Sequence, residues 1–230
     1  MRLHGTRVKK MMKKVSWRTE NSRKIPVYVT VGDRESPVWI QQEWDEGEYQ
    51  LYVRKNGCGH CCAAMALTLN GISIDPHEEY SLCRELWGAP REEENFRQGN
   101  FQSISGITKI LRHFGVAAEP YGVPDAAAAM EHIERSLKDG KIVIFESHPT
   151  EDFPDNPFSP GEHWMMLVGY ADDGRLVALN SSSRIGTGGV QLVDSSTVSR
   201  ALPLGSTPVD MTWGEWTRDF MYGIGYIVVG

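Results

Sequence analysis

The stretch Asn56-Gly57-Cys58-Gly59-His60-Cys61-Cys62-Ala63-Ala64-Met65-Ala66-Leu67 places a cysteine between two glycines, directly before a run with strong helical propensity. We therefore expect a helix to begin near Cys58. The unpaired N–H groups and the positive end of the dipole at a helix N-terminus stabilise a thiolate, so the pKa of a thiol there falls below its ordinary value. These features make Cys58 the candidate nucleophile. Cys61 and Cys62 better fit the alternative, in which small apolar cysteines pack a buried helix.

A histidine precedes the second informative segment. His163 leads into the apolar run 164–170, which has the length of a strand and ends at an Asp-Asp-Gly turn. The run 175–180 after this turn is also strand-like, so the two runs form a predicted hairpin with His163 on one arm and Asn180 on the other. A thiol, an imidazole base and an orienting amide make a working triad. A lone histidine at a strand end is otherwise a structural residue.

The order of these segments resembles the papain-like cysteine peptidases, specifically the bacteriocin-leader-processing (double-glycine) peptidase family and its bacterial relatives. The resemblance is carried by Cys58-Gly59, by Met65 seven positions later and by the segment from His163 to Tyr170, and it spans most of the chain. It implies an α+β papain-like fold. In that fold an N-terminal helical part, including the nucleophile helix, packs on an antiparallel sheet that carries His163 and Asn180.

The resemblance also implies residue roles, with two departures from the family pattern. Cys58 would be the nucleophile, His163 the general base and then acid, and Asn180 the orienter of the imidazole. The family usually has Asp followed by Pro where this chain has Asn180 and Ser, a change that keeps the orientation and loses the charge. His60 stands where the relatives commonly have Pro, and this second imidazole either tunes the thiol or is exposed.

An upstream glutamine completes the set that the resemblance implies, because its amide would hold the oxyanion of a tetrahedral intermediate. Gln41 is favoured, then Gln42, over Gln50, since 38–43 looks like the extended segment of the relatives. The shorter family version has its glutamine six positions before the nucleophile, where this chain has Tyr52, so we expect an insertion of about a turn and a loop. The residues expected to bind substrate are Gln42, Gly57, Gly59, Glu162 and Trp164.

The reaction implied by the resemblance is acyl transfer through a thioester. The resemblance implies hydrolysis of a peptide bond in a peptide or protein substrate, although the same apparatus can act on another amide or pass the acyl group to an amine. Cleavage after paired glycines is an expectation for the family only. No metal and no organic cofactor are implied.

Three alternatives use the same residues differently. Cys58-Gly59-His60-Cys61 is a Cys-x-x-Cys sequence before a helix, which is typical of dithiol oxidoreductases, but the residues before it are not the apolar strand that leads into such motifs. Zinc bound by Cys58, Cys61, Cys62 and a histidine lacks a second ligand pair at a typical spacing, for which Cys83 and His77 are a poor substitute. The third alternative is a binding module with an inactive peptidase fold.

Composition limits the architecture and the partners. The 230 residues with 40% hydrophobic content fit one domain, predicted at 25–230, after a basic arm at 1–24 that we expect to be disordered. A net charge of −6 argues against nucleic-acid binding. The sequence has no signal-peptide pattern and no run long enough to span a membrane, and its cysteines form no disulfide framework. We therefore expect a cytoplasmic protein without a membrane or nucleic-acid partner; the oligomeric state stays open.

Other segments complete the prediction. Helices are expected at 75–86, 105–115 and 125–137, a buried strand at 141–146 and a closing strand at 225–229. Loops are expected at 90–100 and at 147–160, and the acids of the second loop would either favour a basic substrate or simply be solvated. The aromatic residues expected in the core of the tail are Trp213, Trp216, Phe220 and Tyr222.

Overall fold

The computed structural model of the chain describes residues 12–87, 103–148, 153–184, 188–204 and 225–230. The strands are β1 (Val15–Thr19), β2 (Val27–Val31), β3 (Arg34–Val38), β4 (Ala118–Tyr121), β5 (Ile142–Ser147), β6 (His163–Tyr170), β7 (Leu176–Asn180), β8 (Gly189–Val193) and β9 (Tyr226–Val229). The α-helices are α1 (Gln50–Asn56), α2 (Cys58–Leu69), α3 (Pro76–Trp87), α4 (Ile104–His113), α5 (Ala126–Lys138) and α6 (Ser195–Ala201).

The strands form two antiparallel sheets. The first has the order β1-β2-β3, and the second has the order β4-β9-β5-β6-β7-β8. Strand β6 lies inside the larger sheet, between β5 and β7. The register sets Ser147 opposite His163 and Glu146 opposite Trp164. The larger sheet therefore brings the start of the histidine strand beside the end of β5.

Helices cover both faces of the larger sheet, which explains why β5, β6 and β7 are buried along almost their whole length. Residues of β6 alternate between two hydrophobic layers, because successive side chains of a strand point to opposite faces. Trp164 and Met166 pack in the layer with α2, whereas Met165 and Leu167 pack in the layer with α5 and α6. Helix α2 is buried along most of its length and lies against β3, β6, α3 and α4.

The α+β fold with the nucleophile helix on an antiparallel sheet is confirmed, and so are most predicted elements. The three predicted helices correspond to α3, α4 and α5, and the histidine and asparagine strands are β6 and β7. The closing strand is β9, which pairs with β4 and β5 in the same antiparallel sheet as the histidine and asparagine strands. The predicted loop at 90–100 and the four aromatic residues of the tail lie outside the described residues.

The small N-terminal sheet was not predicted. Val15–Thr19, part of the arm that we expected to be disordered, forms β1 and pairs with β2, so the predicted boundary at residue 24 falls inside this sheet. The sheet is tied to β6 at Gly169, where an added Cβ would come within 2.8 Å of the Val15 side chain. Residues 1–11 lie outside the described part. None of the described helices has the length and hydropathy needed to cross a membrane.

Candidate active site

A single glycine joins α1 to α2, the helix that begins at Cys58. Gly57 is both the C-cap of α1 and the N-cap of α2, and its N–H donates a hydrogen bond to the carbonyl oxygen of Val53 at 2.8 Å. A Cβ on Gly57 would lie only 2.3 Å from that oxygen, so no other residue fits without a shift of the backbone. Gly57 thus acts through the backbone and fixes where α2, and with it Cys58, begins.

Cys58 differs from the other three cysteines in its accessibility. All four are free thiols, but Cys61, Cys62 and Cys83 have no exposed surface, whereas Cys58 is partly exposed. Cys58 is therefore the thiol that a substrate can reach.

The electrostatics of this thiol differ from the sequence-based expectation. Burial raises the pKa of Cys58 to about 11, and the Glu146 carboxylate adds to the rise. Hydrogen bonds from the backbone N–H groups of Trp164, Gly59 and Cys58 itself act in the opposite direction. The predicted lowering of this pKa is therefore wrong, because desolvation outweighs the helix-terminal amides. The bond from the Trp164 amide also links the start of α2 to the start of β6.

His163 is buried, and a hydrogen bond to Asn180 orients its ring. Its Nε2 atom lies 2.9 Å from Oδ1 of Asn180. The orientation of the Asn180 amide is fixed independently, because Nδ2 donates to the carbonyl oxygen of Phe158 at 2.9 Å and Oδ1 accepts from the N–H of Ser182 at 2.8 Å. An Oδ1 acceptor at that place requires a donor on His163, so the proton of the neutral ring is on Nε2. Nδ1 then carries the basic lone pair.

The charge state of the ring follows from its surroundings. Burial lowers the pKa of His163 to about 4; the bond to Asn180 opposes this, and the positive charge of Arg184 adds to it. With the pKa of Cys58 raised, thiol and imidazole are both neutral near pH 7. The arrangement can therefore act as a thiol with a general base, in which the proton leaves as the sulfur attacks.

The candidate residues meet at a cavity of 280 Å³. It is lined by Gln41, Gln42, Lys55, Asn56, Cys58, Glu146, Ser159, Glu162, His163, Trp164, Ser182 and Arg184. Asn180 lies behind His163, outside this lining. The lining is mostly polar and carries charges of both signs.

Two neighbouring glutamines have different surroundings. Gln41 stands on a 3₁₀ turn at Gln41–Glu43, its N–H donates to the carbonyl oxygen of Ser181 at 2.8 Å, and its buried Oε1 has no hydrogen-bond partner among the described residues. Gln42 instead holds the loop after β7, since Nε2 donates to Ser182 Oγ at 3.2 Å and Oε1 accepts from the N–H of Ser183 at 2.9 Å.

Comparison with known proteins identifies the family. The model of the family described as "Peptidase_C39 like family" matches residues 37–201. The chain belongs to this family. This match supports a cysteine peptidase-like function for the chain and agrees with the papain-like fold. No curated protein matches the chain.

One solved structure is similar to this Peptidase_C39-like chain at low identity. It is the peptidase domain of Streptococcus ComA, a bi-functional ABC transporter involved in a quorum sensing pathway. The alignment has 11% sequence identity and a TM-score of 0.41, and it covers 76% of this chain and 92% of the ComA chain. The family assignment rests on the family model alone.

Most predicted site residues of this Peptidase_C39-like chain lie together. Cys58, His163, Gln41, Gln42, Glu162 and Trp164 line one cavity, and Asn180 contacts His163 from behind. Gly57 and Gly59 are not in the lining and belong to the start of α2. The third glutamine, Gln50, begins α1 away from the cavity. Helix α1 lies between Gln41 and Cys58, the stretch in which the sequence predicts an insertion.

The structure does not arrange the cysteines as the dithiol alternative or the zinc alternative requires. Cys61 is fully buried, and burial raises its pKa well above the ordinary value, which disfavours a dithiol exchange site. The described group of side chains able to hold a metal ion is His60, Glu79 and Cys83, whose ligand atoms lie within 4.8 Å of one another. Hydrogen bonds already join these three side chains, because Glu79 Oε2 bonds to His60 Nδ1 and Glu79 Oε1 accepts from the Cys83 thiol at 3.4 Å. His60 is thus a buried partner of α3.

Sequence reasoning missed several residues of the cavity wall. Glu146, at the end of a strand that was itself predicted, lies opposite Trp164 in the sheet and lines the cavity. Lys55 of α1 and Arg184 after β7 also line it. A pairing of the predicted strands β5 and β6 would have been enough to find Glu146. Lys55 and Arg184 were missed because their place at the cavity depends on how α1 and the loop after β7 pack in three dimensions.

Proposed function

We propose that the protein is a cysteine peptidase that cleaves a peptide bond through a thioester on Cys58. The observation that carries this is the hydrogen bond from Nε2 of His163 to an Asn180 amide whose orientation is fixed by other bonds. It leaves Nδ1 of a neutral imidazole as a base, in a cavity that also holds the accessible thiol.

The proposed reaction has two halves. The Cys58 sulfur attacks the carbonyl carbon of the scissile bond while Nδ1 of His163 takes the thiol proton. The tetrahedral intermediate collapses as the imidazolium gives this proton to the leaving amine, and a thioester remains. A water molecule, deprotonated by the same Nδ1, then attacks the thioester; the acid leaves and the thiol regains its proton. Asn180 holds the ring throughout and stabilises its protonated form.

The oxyanion would be held by two donors. One is the backbone N–H of Cys58, at the first position of α2 beside the attacking sulfur. The other is Nε2 of the Gln41 side chain. Gln41 lines the cavity, and its Oε1 atom has no hydrogen-bond partner among the described residues. Both polar atoms of the Gln42 amide, in contrast, form hydrogen bonds with Ser182 and Ser183, so we assign Gln42 a positioning role. Cleavage after paired glycines is part of the proposal only through the family resemblance.

The proposal is tested by digestion of a blocked peptide library, which includes peptides with paired glycines, followed by mass spectrometry of the products. Wild type and His113→Ala, a change at an exposed histidine on α4, are expected to cleave the same bonds. Cys58→Ser and His163→Ala should each reduce the rate at least roughly a thousandfold. Cleavage that persists in folded Cys58→Ser, or a wild type that cleaves no peptide, would overturn the proposal.

A further inference from the structure

A buried carboxylate lines the same cavity as the proposed nucleophile, and the proposed mechanism gives it no role. Glu146 is 9% exposed and lines the cavity together with Cys58. Ile142 and Ile144 of the same strand pack in the layer that contains α2. Because side chains alternate along a strand, Glu146 lies on that same face of the sheet, which is the face that carries the nucleophile helix.

Glu146 pairs with a neighbouring histidine at the edge of the cavity. Among the described residues, the cationic partner within 4.0 Å is His148, whose Nε2 lies 3.3 Å from Oε2 of Glu146. The other ring nitrogen of His148 lies 3.8 Å from Glu162, which is largely exposed at the rim. Lys55 and Arg184 line the same cavity but form no ion pair with Glu146. Burial opposes a charge on His148, but the bond to Glu146 raises the pKa of this imidazole, and burial raises the pKa of Glu146 in turn. A substrate cation that enters the cavity would add to the compensation for burying the carboxylate.

We propose that Glu146, with Glu162 at the rim, binds the positively charged side chain of a lysine or arginine next to the scissile bond of the peptide substrate. This inference rests on the proposed peptidase function and names its substrate class. The two acids form the cation-binding wall of the cavity, and Lys55 and Arg184 exclude the cation from their part of the lining. The substrate is thereby fixed in position along the cleft.

The same contact would also help the chemistry. The negative charge of Glu146 raises the pKa of the Cys58 thiol and so opposes the loss of its proton. A substrate cation that neutralises Glu146 removes this opposition at the moment when the scissile bond is in place. A peptide with the cation should therefore have both a higher kcat and a lower KM than a neutral peptide of the same shape.

The test compares peptides that carry arginine or neutral citrulline at the positions flanking the scissile bond. For wild type, kcat/KM should be at least roughly tenfold higher with arginine, as for one charge-assisted contact. In Glu146→Gln this ratio should fall towards one, and a circular dichroism spectrum like that of wild type checks that the variant is folded. Glu85→Gln, at an exposed acid on α3, is the matched control and should keep the wild-type ratio. An unchanged ratio in Glu146→Gln, or no arginine preference in wild type, would overturn the inference.

Binding separates this inference from the proposed function. Calorimetry with the same peptides and Cys58→Ala protein should show tighter binding of arginine than of citrulline, and Glu146→Gln in that background should remove the difference. If this preference is present but no peptide is cleaved by wild type, the cation site stands and the peptidase proposal fails. If peptides are cleaved and neither binding nor kcat/KM depends on Glu146, the peptidase proposal stands and the cation site fails.

Discussion

Nε2 of His163 and Oδ1 of Asn180 are 2.9 Å apart, and both are buried. The orientation of the Asn180 amide is fixed because Nδ2 also donates hydrogen bonds, to the carbonyl oxygen of Phe158 and, at 3.4 Å, to Oε1 of Gln191. The amide is therefore suited to its surroundings at both ends. An aspartate, which the family usually has at this position, would not match these surroundings, because it has no N–H to donate.

Asn180→Asp should destabilise the protein. The second carboxylate oxygen would replace a donor and face two acceptors, the Phe158 carbonyl and the Gln191 side chain, in a site without solvent. We expect a loss of about 2 kcal/mol in the free energy of unfolding, measured with urea near pH 7. Gln191→Met combined with Asn180→Asp should lose less, because one of the two opposing acceptors is removed. Stability of Asn180→Asp equal to that of wild type would contradict the hydrogen-bond assignment.

Stability should fall in mild acid because of His163. Its pKa in the folded protein is lowered from 6.5 to about 4, so between these values the unfolded chain binds a proton that the folded protein does not. The free energy of unfolding therefore decreases as the pH falls through this window, by roughly 3 kcal/mol in total. Urea titrations from pH 7 to pH 4 should show this slope in wild type and in His113→Gln, and a shallower one in His163→Gln. Identical slopes in all three proteins would refute the assignment to His163.

Gly57→Ala should damage the nucleophile helix. The new Cβ would lie 2.3 Å from the Val53 carbonyl oxygen and 2.8 Å from the Val53 side chain, so the junction between α1 and α2 must shift. We expect a loss of roughly 2 kcal/mol in stability and a fall in the alkylation rate of Cys58. Gly161→Ala is the matched control, because a Cβ there has no atom within 4 Å. The idea is untenable if both variants behave like wild type.

The two glutamines of the cavity should separate kinetically. Gln41→Ala is expected to lower kcat by roughly a hundredfold or more with little change in KM, as for loss of an oxyanion donor. Gln42→Ala frees the loop at Ser182 and Ser183, so it should change KM more than kcat. Steady-state kinetics on one cleaved peptide make the comparison. A larger fall in kcat for Gln42→Ala would reverse the assignment of the oxyanion donor.

The sequence predicted those parts of the fold that local patterns encode. Helices α3, α4 and α5 have apolar spacing and clear ends, and β6 is a long apolar run, so their places follow from periodicity. Strand β1 has no such signal: four of its five residues are exposed, and its pairing with β2 supplies the order. A charged, mostly exposed segment is recognised as a strand only when its partner is known.

The candidate site divides in the same way. Cys58 and His163 stand at the start of a predicted helix and a predicted strand, so their residue types and positions were enough to single them out. The direction of the thiol pKa could not be predicted, because it depends on how deeply α2 is buried by elements distant in sequence. Glu146 was missed for a related reason, since its role depends on the register of β5 against β6.

The most direct test of the central claim is the site of alkylation by substoichiometric iodoacetamide, mapped by mass spectrometry in wild type, His163→Ala and His113→Ala. The account predicts that Cys58 alone reacts in wild type and in His113→Ala near pH 7, and that its rate falls at least roughly tenfold in His163→Ala. Reaction of Cys58 together with Cys61, or a reversible disulfide between them that forms regardless of His163, would contradict the thiol–imidazole pair and favour dithiol chemistry.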